Sequence, residues 1–164
     1  MDKELTVVGL QVGNETFGVP IAMVREIVRI TEVTAVPNAP EYIEGVINLR
    51  GRIIPIMDLR KRFGQKHIQP HKRNRIVVVE MEDRHVGLVV QAASEVLKIP
   101  PSQIEAPQEL FQEGELDYVT GVAKLGDRLV ILLDLKMILR GGELRQIERI
   151  DDRTGQHSER NSNS

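Results

Sequence analysis

GVINLRGRIIPIMDL, at residues 45–59, has a diverged copy farther along the chain, GVAKLGDRLVILLDL at residues 121–135. Six of these 15 aligned positions are identical, at an offset of 76 residues. A second gapless match, at an offset of 69, aligns residues 18–30 with residues 87–99. Two matches in the same order favour an internal duplication over chance. The offset grows by seven residues, which predicts an insertion in the second copy, within residues 100–117.

Composition and turn spacing make both copies rich in β-strands. The sequence has 19 Val and 16 Ile against 5 aromatic residues, and β-branched side chains favour strands. Short apolar runs between turn residues predict five strands in each copy, the pattern of a small SH3-like or OB-like barrel. The strands are expected at 5–12, 16–19, 26–30, 42–49 and 52–57, and again at 76–81, 85–90, 95–99, 119–125 and 129–133. The predicted fold class is therefore mainly β, with two five-stranded barrels packed on a shared apolar core.

The predicted domain organisation follows the repeat. We expect a first barrel repeat at 5–66, a basic linker at 67–75, a second barrel repeat at 76–140, a C-terminal helix at 141–150 and a disordered tail at 151–164. The tail is assigned from its near lack of apolar residues.

Each copy also ends in a short helical pattern. An aspartate, Asp58 or Asp134, precedes a few residues that include basic side chains, and a glycine follows them. Aspartate is a preferred helix N-cap and glycine a common stop. We therefore predict two short helices and a structural role for both carboxylates.

Residue chemistry excludes several classes of function. The 22 basic and 24 acidic residues give a net charge of −2, whereas a general polyanion binder needs an excess of basic charge. The chain has no cysteine, and hence no disulfide, thiolate metal site or cysteine nucleophile. His67 and His71 have the spacing of a helical metal pair, but Pro70 between them prevents that helix. Since motifs for nucleophilic catalysis and phosphate binding are also missing, we predict no enzyme, no metal site and no cofactor.

The N-terminal segment and the distribution of charge indicate where the protein is located and what kind of partner it binds. The first residues are charged, and no apolar run has the length of a signal peptide core or a membrane span, so we expect a soluble, cytoplasmic protein. Seven basic residues and no acidic one lie between positions 60 and 75, while residues 105–117 hold five acidic residues and no basic one. These stretches are either two solvated loops or patches that steer protein partners electrostatically.

The repeat provides an internal control for one arginine. The hairpin between the last two strands reads NLRGR at residues 48–52 and KLGDR at residues 124–128. Both contain a glycine for the turn, so the turn does not require Arg50. Arg50 is then either a neutral surface residue or a contact specific to the first copy. Glu26 has an equivalent in Glu95, which favours a structural role unless Glu26 lies beside Arg50.

Four linked motifs carry a resemblance to a known family. They are VREI at 24–27, VPNAP at 36–40, YIEGVINLRG at 42–51 and IPIMDLR at 54–60. Together they strongly resemble the CheW family of coupling proteins in bacterial chemotaxis, and the similarity extends from about residue 6 to residue 139. The resemblance implies two intertwined five-stranded barrels with an apolar core between them, and an adaptor without enzymatic activity.

The resemblance also implies partners and a site. CheW-like proteins join the cytoplasmic tip of methyl-accepting chemotaxis receptors to the regulatory domain of the histidine kinase CheA. We therefore expect these partners, recruitment to membrane-associated receptor arrays without membrane insertion, and no nucleic acid. The family's receptor-binding groove uses the glutamate of V-x-E-I and the arginine of N-L-R-G, which correspond to Glu26 and Arg50. The neighbouring candidates are Ile21, Val24, Asn48 and Ile53, and kinase-docking residues are not assigned by motif.

Two alternatives remain open at the level of sequence. One is a CheW-like adaptor of another chemosensory pathway, such as surface motility. The other is an OB-like nucleic-acid-binding protein, which the net charge and the few scattered aromatic residues disfavour.

Overall fold

The structure, a computed structural model, describes residues 4–65, 68–106 and 118–138. Within these ranges the strands are β1 (Leu5–Val12), β2 (Glu15–Pro20), β3 (Val24–Arg29), β4 (Ile43–Leu49), β5 (Arg52–Asp58), β6 (Arg75–Met81), β7 (Arg84–Val90), β8 (Ala92–Ile99), β9 (Ile104–Glu105), β10 (Val119–Leu125) and β11 (Arg128–Leu133). The α-helices there are α1 (Leu59–Arg62) and α2 (Leu135–Ile138), and the 3-10 helices are η1 (Ile21–Met23) and η2 (Pro101–Gln103). All ten predicted strands are present, and the short β9 is an addition.

Each sheet combines strands from both copies of the repeat. The strand order is β8-β1-β2-β11-β10-β9 in sheet A and β3-β6-β7-β5-β4 in sheet B. Neighbouring strands pair antiparallel, except that β2 pairs parallel with β11 and β5 pairs parallel with β7. Replacing each strand of sheet B by its repeat equivalent gives β8-β1-β2-β11-β10, which is the order of sheet A without β9. The intertwining that the resemblance implies is therefore present, and both sheets cross the repeats at 5–66 and 76–140.

Side-chain alternation along the strands builds three apolar clusters. In β6, Ile76 and Val78 contribute to a cluster on one face of sheet B, while Val77 and Val79 contribute to a larger cluster formed by both sheets. Successive residues of a strand point to opposite faces, which explains the division. A third cluster lies on sheet A and contains Val7, Ile99, Ala123, Val130 and Leu132. The large cluster is the predicted shared core.

A glycine at the start of the repeated hairpin allows another segment to cross close by. Gly45 has a φ of 138°, and a Cβ there would overlap the carbonyl oxygen of Thr34. Thr34 approaches because it forms a bridge with Val46. In the second copy Glu105 of β9 pairs with Val122 in the same way. The extra strand β9 is thus an extended form of a bridge that the first copy also makes.

Both predicted N-caps are present. The Oδ1 of Asp58 accepts a hydrogen bond from the backbone N–H of Arg60 at 2.9 Å at the start of α1. The Oδ1 of Asp134 accepts one from Lys136 at 3.0 Å at the start of α2. Asp58 is buried and also binds the guanidinium of Arg60 through both carboxylate oxygens, at 3.0 and 2.8 Å.

Several predictions lie wholly or mainly outside the described residues. These are the C-terminal helix at 141–150, the tail at 151–164 and most of the acidic stretch at 105–117. No helix of the part that the structure describes is long and apolar enough to cross a membrane.

Candidate functional site

The turn between β4 and β5 holds Arg50 in an uncommon backbone conformation. Leu49 pairs with Arg52, which leaves a two-residue turn of Arg50 and Gly51. Both have positive φ, 52° and 84°, as a type I′ turn requires. Glycine adopts this conformation freely, whereas a residue with a Cβ is strained by about 1 kcal/mol. The equivalent of Arg50 in the second copy is Gly126, at a φ of 63°, so the first copy has an arginine where glycine is sufficient for the turn.

The side chain of Arg50 forms an ion pair with Glu26 of β3. The two side chains are 71% and 31% exposed. β3 and β4 are the outer strands at opposite ends of sheet B, so the sheet must curl to bring this turn to β3. The hydrogen bond and the charge of Glu26 raise the pKa of Arg50 above its ordinary value. The structure thus places Glu26 beside Arg50, the condition under which a specific role for both was predicted.

The other four candidate residues lie on the same two segments or, for Ile21, in η1 directly before β3. Asn48 and Ile53 face each other in register across the hairpin. The Oδ1 of Asn48 accepts a hydrogen bond from the N–H of Gly51 at 2.8 Å, which stabilises the turn. Ile53 is 40% exposed, and Ile21, in η1, is 41% exposed. Val24 begins β3 and packs, partly buried, against the shared core.

Sequence reasoning missed a group of charged residues next to this site. Arg25 of β3 forms an ion pair with Glu80 of β6, and the Nε2 of His85 lies 3.6 Å from the Oε1 of Glu80. Burial, and then the positive charge of Arg52, lower the pKa of His85, while Glu80 opposes them. Glu80 and His85 are register partners in the β6–β7 hairpin, so the register of that hairpin was the signal that could have found them.

The second copy makes a related ion pair with a different arginine. Arg128 donates two hydrogen bonds to Glu95, at 3.0 and 2.9 Å, and its Nη2 lies 3.4 Å from the Oγ1 of Thr16. The hydrogen bond to Arg128 is the main reason why the pKa of Glu95 is lowered. In the repeat Arg128 is the equivalent of Arg52 and not of Arg50. The two copies therefore bind equivalent glutamates through arginines from different positions.

Metal ligands are not grouped in the described part of the chain. Among residues 4–65, 68–106 and 118–138, no three His, Asp or Glu side chains could hold a metal ion together. The Nδ1 of His71 accepts a hydrogen bond from the backbone N–H of Arg73 at 3.0 Å. His67 lies outside the described residues.

Comparisons with known proteins agree on one family. A family profile described as CheW-like domain matches residues 6–143. The chemotaxis protein CheW of Klebsiella aerogenes is 36% identical over 138 residues, 84% of this chain and 83% of that protein. The chemotaxis protein CheW of Helicobacter pylori is 34% identical over 140 residues, 85% of this chain and 84% of that protein. The crystal structure of the scaffolding protein TtCheW from Thermoanaerobacter tengcongensis matches with a TM-score of 0.76 at 36% identity, covering 87% of this chain and 96% of that one.

Proposed function

The chain belongs to the CheW family, and from this membership we propose that it joins chemotaxis receptors to the histidine kinase CheA. It is a scaffold of chemotaxis, as the family and the similar scaffolding protein indicate. The proposed partners are the cytoplasmic tip of a methyl-accepting receptor and the regulatory domain of CheA, met in membrane-associated arrays. We assign no catalytic step to the chain, because an adaptor transmits a signal by shifting the kinase between states.

The backbone of Arg50 supports a receptor site at β3 and the β4–β5 turn. Its left-handed conformation costs about 1 kcal/mol relative to glycine. The ion pair with Glu26 is exposed, and exposed ion pairs contribute little to folding. Folding alone therefore gains nothing from arginine at this position, and Gly126 forms the equivalent turn without it. A contact of Arg50 with a partner explains its presence.

The surface around this ion pair suits a helical partner. In the proposed complex the receptor tip is a helical hairpin, whose ridge of side chains would lie along the exposed Ile21 and Ile53. Glu26 and Arg50 would set the register and orientation of the ridge through charge. Individually weak contacts suffice in an array, because many of them act together.

Titration of a receptor tip fragment tests this site. Arg50→Glu reverses the charge and places two carboxylates side by side, so Kd is expected to rise at least about tenfold. The matched control is Arg128→Glu, which breaks the corresponding ion pair on sheet A and is expected to leave receptor affinity unchanged. Circular dichroism should report the same fold for the unsubstituted protein and for both variants. A Kd that is unchanged in Arg50→Glu would reject the site.

Neither alternative function is better supported. An adaptor of another pathway, such as surface motility, would have the same fold, but the CheW relatives described above are named for chemotaxis. A single-strand nucleic-acid binder needs exposed aromatic side chains on which bases stack. Here Phe63 stacks on Phe17 and on Tyr118, with ring centroids 4.7 and 5.5 Å apart, and Phe17 is buried.

A further inference from the structure

Arg52 is an exposed cation that follows the turn of Arg50 and Gly51 in the β4–β5 hairpin. Within the part of the chain that the structure describes, no ion pair includes Arg52. Two glutamates near Arg52 in the fold already have partners: Glu26 pairs with Arg50, and Glu80 pairs with Arg25. Three arginines and two glutamates give these five side chains a charge of 3 − 2 = +1. This group of five therefore has one more cation than carboxylate.

The second copy shows what an arginine does at this position. Arg128 begins β11 directly after a two-residue turn, as Arg52 begins β5. From there it reaches Glu95, the equivalent of Glu26, and binds it through two hydrogen bonds of 3.0 and 2.9 Å. β11 is separated from β8 by β2 and β1, as β5 is separated from β3 by β7 and β6. Equivalent strands in equivalent order place Arg52 within reach of Glu26, whose carboxylate Arg50 now occupies.

We propose that Arg52 is a reserve partner for Glu26, which replaces Arg50 when Arg50 turns to an acidic side chain of the receptor. The proposal rests on the receptor site proposed above. In this exchange Glu26 stays paired throughout, so the receptor does not have to overcome the loss of the Glu26–Arg50 ion pair. Arg52 is in these terms a positioning residue: it acts on the receptor through Glu26 and Arg50.

The surroundings of Arg52 keep it available for this role. The charge of Arg52 acts on His85, which stands where Thr16 stands beside Arg128. A histidine ring is neutral or positively charged, so His85 offers Arg52 no negative charge. Glu80 is engaged by Arg25. Glu26 is then the carboxylate for which Arg52 and Arg50 compete.

The first test uses the free protein and needs no receptor. Arg50→Gly gives the turn the residue of the second copy, so Arg52 should pair with Glu26 as Arg128 pairs with Glu95. The measurement is the ¹H–¹⁵N spectrum of the arginine Nη–H groups, because Arg128 binds Glu95 through Nη1 and Nη2. The Arg52 signal is expected to shift and to exchange more slowly with water in Arg50→Gly, and to return to its wild-type position when Glu26→Gln is added. The Arg128 signal, with and without Glu95→Gln, is the reference for a paired and an unpaired arginine. An Arg52 signal that does not change in Arg50→Gly overturns the proposal.

The second test measures receptor binding by calorimetry. Arg52→Gln should weaken binding of a receptor tip fragment about fivefold, the equivalent of about 1 kcal/mol, because Glu26 is left unpaired when Arg50 leaves it. In a Glu26→Gln background the same substitution should have no effect. An equal loss in both backgrounds would mean that Arg52 contacts the receptor directly, and would overturn the reserve role. If the Arg52 signal moves as expected while Arg50→Glu leaves receptor affinity unchanged, the receptor site is wrong and the exchange of arginines stands.

Discussion

The end of sheet B at which β3 begins and the equivalent end of sheet A are built from equivalent strands and carry different charges. On sheet A, in the part of the chain that the structure describes, Glu95 pairs with Arg128, and Gln11 and Thr16 stand where sheet B has Glu80 and His85. Sheet A shows that the framework forms without the extra arginines and the second glutamate. The added charges of sheet B are therefore not needed for the framework to form. A difference between the copies that is buried should instead change stability, and the following variants separate the two kinds.

The largest contrast is expected at the two helix caps. Asp58 and Arg60 are 2% and 12% exposed and form an ion pair at 2.8 Å, whereas Asp134 accepts hydrogen bonds from the backbone N–H groups of Lys136 and Met137. Asp58→Ala should lower the free energy of unfolding by about 3–5 kcal/mol, because it leaves a buried guanidinium without its carboxylate. Asp134→Ala should cost about 1 kcal/mol. Urea denaturation of the two variants measures both values, and equal losses would show that the buried pair adds nothing to the cap.

A smaller contrast is expected at a pair of equivalent glycines. A Cβ on Gly87 would lie 2.5 Å from the Cδ1 of Ile56 and 2.8 Å from the Cγ2 of Ile76. A Cβ on Gly18 would be no closer than 3.0 Å to its neighbour, the Cγ2 of Val7. Gly87→Ala should therefore cost about 2 kcal/mol through overpacking, and Gly18→Ala about 1 kcal/mol. Thermal unfolding ranks the two losses of stability. A greater loss in Gly18→Ala than in Gly87→Ala would contradict the tighter fit around the glycine of sheet B.

The smallest effect is expected in the titration of His85. Because its pKa is lowered from 6.5 in the folded protein, the unfolded chain binds this proton more readily. His85 therefore contributes stability above pH 6.5 that is lost as the pH falls through 6.5 toward the folded pKa. Arg52→Gln removes one of the charges that lower the pKa, so the pKa should rise toward 6.5 while burial keeps it below that value.

An NMR titration of the His85 ring measures this shift. Arg128→Gln is the matched control, since it removes the equivalent arginine from sheet A and should leave the titration of His85 as it is. If the pKa of His85 does not rise in Arg52→Gln, the guanidinium of Arg52 does not lie close to His85. The proposal that Arg52 is a reserve partner for Glu26 then loses one support.

Local patterns in the sequence predicted the strands and helices better than the pairing between strands. Alternation and turn residues were enough for the ten strands, and the two aspartates predicted their helices, because each depends on neighbours in the chain. The pairing of β2 with β11 was not predictable in this way, since two copies with similar local preferences leave open which copy supplies each neighbour. Only the family resemblance implied the exchange. The two-residue β9 escaped notice because so short a segment has no periodicity.

The site was predictable to a similar extent. Glu26 and Arg50 were named through family motifs, and the internal repeat identified Arg50 as dispensable for the turn. Their contact joins the two outer strands of a curled sheet, which no local pattern encodes. Arg52 was not singled out, because nothing in the local sequence distinguishes it from its equivalent Arg128, which pairs with Glu95.

The exchange of strands between the copies also determines the order in which the protein can assemble during synthesis. β2 cannot meet its parallel neighbour β11 until residues 128–133 have left the ribosome, and β5 must wait for β7. A nascent chain that ends after the first repeat would hold hairpins with unpaired edges, which belong to two different sheets and invite aggregation. Long-range pairings of this kind also slow folding. A truncated chain would therefore not persist as a folded half of the protein.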